Sequence, residues 1–286
     1  MRLLAYRQST NSGIAIENAR GELRGVGSQH PHYPGSLDDL VGNAQSLQAA
    51  AVAIARYGQH LNPGELTYLP PIQRPGKILC IGLNYMDHSL ESGFEVPSYP
   101  TVFARFATSL IGHAAPILKP SISEQLDWEG ELAVVIGRGG REIARSEALS
   151  HVGGYSIFND ASIRDYQFKT TQWTMGKNFD ATGAMGPVLV TPDEVPPGCR
   201  GVRLTTSLNG TIVQNASTHD LVFDVATLIH LLSQVMTLEA GDVISTGTPA
   251  GVGVARKPPV FMTHGDRCEV SIEGIGTLAN PIVAAG

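Results

Sequence analysis

The sequence predicts an α+β protein dominated by sheet, and two observations carry that prediction. From about residue 75 onward, short β-branched and aliphatic runs are separated by glycine, at 77–81, 132–136, 155–158, 188–190, 243–246 and 269–272. In the same stretch only one segment has clear helical spacing: Val225, Leu228, Ile229, Leu232 and Met236, with Gly241 after it as a stop. Strands and helices therefore do not alternate as they would in a doubly wound parallel sheet. Asn209-Gly210 lies between the apolar runs 204–208 and 211–213, a strong signal for a two-residue hairpin turn.

Residues 1–70 read as a small N-terminal α+β domain, and 71–286 as the catalytic domain. In the first part, 3–6 and 14–16 read as short strands, and 18–21 supplies turn chemistry between extended pieces. Ser36 followed by Asp39 starts a short helix with a capping box. A second helix places Leu47, Ala50, Ala51, Ile54 and Ala55 on one face and stops at Gly58. Asn62-Pro63-Gly64 and Pro70-Pro71 read as a linker.

Composition narrows the function classes. The 286 residues are 42% hydrophobic and 16% charged, too apolar for a disordered chain. Net charge is −6 and no block of Lys/Arg occurs, which argues against a nucleic-acid surface. No run of about 18 apolar residues predicts a membrane span, and the N-terminus lacks the long apolar core of a signal peptide. Cys80, Cys199 and Cys268 stand far apart, so neither a disulfide framework nor a zinc cluster is expected. The expectation is a cytoplasmic enzyme.

Four segments carry chemistry. In 127–136, Glu129 and Glu131 stand two apart at the mouth of a strand, so both side chains share a face. Two like charges on one face need a cation or a basic side chain, unless the pair is simply a solvated strand edge. Asp160 ends another apolar run, and three carboxylates would make a hard, all-oxygen site suited to Mg²⁺, Mn²⁺ or Ca²⁺. In 82–93, His88 and Glu91 fall on one helical face, where a carboxylate can orient an imidazole as general base. Lys177, within 173–180, can stabilise an oxyanion or bind a carboxylate. The glycine-rich segment 246–253 fits neither a phosphate loop nor a dinucleotide fingerprint and reads as a turn.

Taken in order, GLNYMDHSLESG, LDWEGELAVVIG, GYSIFNDASIRDYQ, WTMGKNFDATGAMGP, ISTGTPAGVG and EVSIEGIGTLANPIV resemble the fumarylacetoacetate hydrolase family over about residues 75–283. The resemblance implies that family's mixed β-roll catalytic fold behind a smaller N-terminal domain, and a homodimer. It implies Glu129, Glu131 and Asp160 as ligands of Mg²⁺ or Mn²⁺, with Ca²⁺ in some members. It makes His88 and Glu91 a lid-borne dyad, and Lys177 and Thr248 contacts to the substrate or its developing charge. Arg164 and Gln167 fall on pocket positions. Arg105 stands where many relatives carry lysine, and it is grouped here with the substrate-binding residues.

The expected substrate is a small anionic keto acid, and the expected reaction is hydrolysis of a C–C bond in a β-diketo acid. That substrate would be an acylpyruvate, a fumarylpyruvate-like acid or a diketo sugar acid. The alternative is a lyase or isomerase on the same scaffold: an oxaloacetate-type decarboxylase, a dehydratase or a hydroxy-diene-dioate isomerase. A structural cation site without catalysis is the third reading. No GxSxG elbow is present, so a Ser-His-Asp hydrolase is not expected. Histidines 113, 151, 219, 230 and 264 read as packed, turn or surface residues. Trp128 and Trp173 read equally as pocket wall or core, and Met86 and Met175 as gap fillers.

Overall fold

The computed structural model describes residues 1–87 and 97–285. The chain opens with three antiparallel strands, β1 (Arg2–Gln8), β2 (Asn11–Glu17) and β3 (Leu23–Gly27). Helix α1 (Leu37–Leu40) carries the expected capping box between Ser36 and Asp39. Helix α2 (Ala44–Tyr57) is capped by Asn43, ends at Gly58 and buries Leu47, Ala50 and Ile54. Ala55 is exposed, so the apolar stripe is narrower than its spacing implies. The stretch read as a linker is partly ordered into the sheet. Strands β4 (Gln59–Leu61) and β5 (Thr67–Leu69) flank Asn62-Pro63-Gly64 and pair with β3 and β1.

Next come β6 (Ile78–Gly82), β7 (Thr101–Arg105), β8 (Leu110–Ile111), β9 (Ile117–Lys119), β10 (Leu126–Asp127), β11 (Gly130–Ile136), β12 (Val152–Asp160) and β13 (Ser162–Ile163). Two single-turn helices, α3 (Arg164–Gln167) and α4 (Thr174–Lys177), precede β14 (Gly183–Val190). The hairpin β15 (Arg203–Leu208) and β16 (Thr211–Ser217) turns on Asn209 and Gly210, whose φ values of 51° and 80° are the left-handed pair such a turn requires. Helix α5 (Val225–Val235) starts from an Asp224 cap. The chain closes with β17 (Val243–Ser245), β18 (Arg267–Ile272) and β19 (Gly276–Ala284).

These strands form a mostly β fold built on one large sheet, ordered β4-β3-β2-β1-β14-β12-β11-β17-β6-β7, with β5 and β8 pairing off that path. A five-stranded sheet, β16-β15-β18-β19-β9, packs on one side. Helices α1 and α2 cover part of the other. The division near residue 70 is not a division of the sheet, because β1 pairs antiparallel with β14 through Arg2–Val190 and Leu3–Leu189.

Alternation along the strands confirms the two-faced burial. In β11, Leu132, Val134 and Ile136 pack with Leu204, Leu228 and Val270, whereas Ala133 and Val135 pack with Leu37, Leu47 and Ile54. A strand buried on both faces reads as an unbroken apolar run, as 132–136 does. β1 splits in the same way, Leu4 and Tyr6 to one core and Leu3 and Ala5 to the other. The N-terminal strands thus share both cores with the rest of the chain. Among the described residues, no helix is long and apolar enough to cross a membrane.

Candidate active site

The period of two that fills the core also builds the site. Glu131 lies on the same face as Ala133 and Val135, Asp160 on the same face as Phe158, and Ser245 on the same face as Val243. β11, β12 and β17 are neighbours, so these polar side chains come together at one end of the sheet. Glu129 precedes β11, and its backbone carbonyl accepts a hydrogen bond from the Asp160 amide at 2.9 Å. Glu129, Glu131 and Asp160 offer ligand oxygens that all lie within 4.8 Å of one another. Their exposures of 5%, 2% and 0% rule out a solvated strand edge.

Buried charge on this scale is stable only with partners. Lys177 Nζ donates at 2.6 Å to Glu129 Oε2 and at 2.6 Å to Asp160 Oδ2. Burial opposes its charge, but Asp160 and Glu129 outweigh that and raise its pKa, so the ammonium stays protonated. Arg164 donates through Nη1 to Glu129 Oε1 at 2.6 Å and through Nε to Asp127 Oδ2 at 2.8 Å. Glu131 takes its bonds from Ser245 Oγ at 2.6 Å and the Gly247 amide at 2.8 Å. Burial, then the charges of Asp160 and Glu129, push the Glu131 carboxyl well above the usual carboxylate range.

The donor set fits a hard divalent cation. Oxygens on opposite sides of Mg²⁺ or Ca²⁺ stand about 4–5 Å apart, twice the metal–oxygen bond, and the three carboxylates meet that spacing. Asp127, Glu129, Glu131 and Asp160 face Arg105, Arg164 and Lys177, leaving one excess negative charge when all are ionised. A divalent ion would reverse that sign and favour an anionic ligand.

Above the carboxylates lies a cleft of about 240 Å³. Glu129, Glu131, Arg164, Gln167, Lys177 and Thr248 supply its polar floor. Ile81, Leu83, Phe103, Phe168, Trp173, Val252 and Val254 supply apolar walls. Phe103 and Trp173 pack edge to face at 5.5 Å, and Lys177 Nζ sits 4.9 Å from the Phe103 ring centre. Trp173 is therefore wall, whereas Trp128 is fully buried and its Nε1 donates to the Gly251 carbonyl. Met86 and Met175 are 55% and 67% exposed and fill no gap.

The expected site residues separate into groups. Glu129, Glu131, Asp160, Lys177, Arg164, Gln167 and Thr248 come together at the cleft. Gln167 Oε1 accepts from Arg164 Nη1 at 2.8 Å, and Thr248 Oγ1 donates to the Gly130 carbonyl at 3.0 Å. His88 and Glu91 lie outside the described residues. Arg105 does not line the cleft: its guanidinium is buried behind Asp160, bonded to that carboxylate, to Thr182 Oγ1 at 2.7 Å and to Ser109 Oγ at 3.2 Å. Its side-chain hydrogen-bond partners are the Asp160 carboxylate and two hydroxyls, and it does not reach the cleft lining. His230 and His151 are packed, with Nδ1 against the carbonyls of Ile143 and Arg138.

Two contributors carry no sequence signal strong enough to single them out. Asp127 stands inside the LDWEGEL segment, and spacing does not separate it from its neighbours. Gln214 comes from the five-stranded sheet: its Oε1 accepts from the Gly130 amide at 3.0 Å, and its Nε2 donates to Thr248 Oγ1 at 2.8 Å. It thereby clamps Gly130, between Glu129 and Glu131, to the glycine-rich segment.

A buried three-carboxylate cluster at the ends of a mixed sheet, beneath a small cleft, is a donor set that could hold a metal ion. Residues 77–283 match the model of the fumarylacetoacetate (FAA) hydrolase C-terminal domain, and the chain belongs to that family. The mitochondrial oxaloacetate tautomerase of Xenopus laevis is 39% identical over 99% of this chain and 90% of its own length. The oxaloacetate tautomerase of Bacillus subtilis (strain 168) is 41% identical over 87% of each chain. Among solved structures, the fumarylacetoacetate hydrolase of Exiguobacterium antarcticum is 36% identical with a TM-score of 0.87, all of both chains being covered. The maleylpyruvate hydrolase of Sphingobium sp. SYK-6, solved with manganese(II) and pyruvate, is 26% identical with a TM-score of 0.80, again over the whole of both chains.

Proposed function

We propose that this protein is a divalent-metal-dependent tautomerase of a small keto dicarboxylic acid of the oxaloacetate type, with Mg²⁺ or Mn²⁺ as its ion. The observation that carries this reading is Arg164. Its side chain is buried at the cleft floor beside the three carboxylates, and its Nη2 has no hydrogen-bond partner among the described residues. A buried guanidinium edge without a partner is costly unless a ligand supplies one, and a carboxylate is the natural complement of that fork. The cleft is smaller than the roughly 300–1,000 Å³ of drug-sized pockets, which suits a substrate of a few carbons. Curated relatives named as oxaloacetate tautomerases support the reaction class.

Glu129, Glu131 and Asp160 would hold the cation, which as a Lewis acid makes the protons next to a keto group easier to remove. Arg164 would bind the second carboxylate, with Gln167 bracing its Nη1. Lys177 has two protons committed to Glu129 and Asp160, and the third can meet the oxygen that becomes negative as the enol forms. Because Lys177 stays charged, it serves as donor and not as base. The proton on carbon falls to His88, oriented by Glu91. Phe103, Trp173, Val252 and Val254 keep water from the intermediate.

The test uses EDTA-stripped protein with and without added Mg²⁺ or Mn²⁺, following enol absorbance of oxaloacetate and product masses. Metal-dependent loss of enol at unchanged mass supports the tautomerase. Carbon–carbon hydrolysis is the second reading, favoured by the structural likeness to the Exiguobacterium and Sphingobium hydrolases. Pyruvate plus a second carboxylic acid from an acylpyruvate would establish it instead.

A further inference from the structure

Asp127 is fully buried, two positions before Glu129, and it accepts four hydrogen bonds. Oδ1 takes the amides of Trp128 at 2.8 Å and Gly253 at 2.7 Å. Oδ2 takes the Val254 amide at 2.9 Å and Arg164 Nε at 2.8 Å. One carboxylate therefore ties the segment that supplies the cleft wall, Val252 to Ala255, to the guanidinium at the cleft floor.

The contact is built for closeness. A methyl group on Gly253 would stand 2.6 Å from Asp127 Oδ1 and 1.9 Å from the Val260 carbonyl, so only glycine lets that backbone approach. The same segment is held at its two ends, where Arg256 Nη2 donates to the Val213 carbonyl at 2.9 Å and Trp128 Nε1 donates to the Gly251 carbonyl at 3.1 Å.

We propose that Asp127 is a positioning residue that latches the 252–255 wall to Arg164, so that the wall and the carboxylate-binding guanidinium are set as one unit. Arg164 is shared between Asp127 and Glu129, and the pull of Asp127 on Nε turns Nη2 toward the ligand's place in the cleft. This inference rests on the reading of Arg164 as the partner of a substrate carboxylate.

A double-mutant cycle tests it. Asp127→Asn presents an amide N–H where Oδ2 accepted, so donors face Arg164 Nε and the Val254 amide, while Oδ1 can still accept. The expected result is at least a tenfold rise in KM for oxaloacetate, with divalent-ion affinity by calorimetry changed less than twofold. In an Arg164→Gln background the same substitution is expected to change KM less than twofold. Independent, multiplying effects of D127N and R164Q overturn the latch, as does a loss of ion affinity as large as the rise in KM. If Asp127→Asn does not fold, Arg164→Lys poses the question from the other partner. It keeps the charge but has no Nε–H for Asp127, and faster amide exchange at Gly253 and Val254 is expected; unchanged exchange overturns the proposal. Wild-type protein inactive on oxaloacetate would overturn the functional reading alone. The cycle is then scored on oxalate binding in Mn²⁺, where the same non-additivity is expected and additivity again overturns the latch.

Discussion

The N-terminal wing and the site-bearing strands belong to the same sheet and each buries a part of the core, yet they are stabilised in different ways. In the wing, α2 covers β2 and β3 with Leu47, Ala50 and Ile54, and the buried surface is apolar. At the ends of β11 and β12, Asp127, Glu129, Glu131 and Asp160 are equally inaccessible but carry charge. Apolar burial stabilises in proportion to the area removed from water. Charged burial is tolerated only while each ion keeps its partners, and breaking one pair leaves an uncompensated charge. The wing therefore carries stability without chemistry, and the strand ends carry chemistry at the expense of stability.

The largest expected effect tests the charged side of that contrast. Glu129→Ala removes a ligand and a partner of both Lys177 and Arg164, and is expected to abolish divalent-dependent activity. It should also abolish the stabilisation by added ion, about 2.7 kcal/mol at 100 times Kd for the intact site, read as the shift in melting temperature with Mn²⁺. Unchanged metal content by elemental analysis would remove Glu129 from the ligand set. Lys177→Met is expected to lower kcat by about 10²–10³-fold. It should also destabilise the ion-free protein by about 3–5 kcal/mol, with added Mn²⁺ recovering much of the loss because it neutralises the same carboxylates.

His88→Ala sharpens the comparison, because it should leave both ion binding and stability intact while lowering turnover by about 10²–10⁴-fold. Wild-type rates in that variant would assign the proton transfer elsewhere. The wing supplies the converse. Ile54→Ala should cost about 2–5 kcal/mol in denaturant unfolding with KM and ion affinity unaltered; a shift in KM would show that the two regions are coupled.

The smallest effect lies outside both regions. Asp224 caps α5, accepting from the Thr227 amide and hydroxyl at 2.8 and 2.7 Å. Burial raises its carboxyl, but those bonds and Arg145 outweigh it and hold the pKa below the ordinary value. A depressed folded pKa means the contribution is present above the unfolded aspartate value, about 3.9, and lost as pH falls through the folded one. Asp224→Ala should thus cost about 1 kcal/mol near neutrality, and the difference from wild type should vanish in acid.

Much of the fold was legible from local pattern. The hairpin at Asn209-Gly210, the capping box at Ser36 and the helix starting after Asp224 all depend on neighbours within a few residues, where backbone sterics and local hydrogen bonds act alone. The sharing of one sheet across residue 70 was not legible. It depends on β1 pairing with β14, some 180 residues away, and strand periodicity does not name a partner.

The sequence by itself determined the residue types of the site, the spacing that puts Glu129 and Glu131 on one face, and the family resemblance. Tertiary structure alone decided which charges neutralise which. It put Arg105 behind Asp160 instead of in the cleft, set Lys177 between two carboxylates, and brought Gln214 and the Gly253 amide to their places. The physical reason is range. Side-chain direction along a strand repeats every two residues and can be read locally, whereas ion pairs and close backbone approaches are fixed by which distant strands lie side by side.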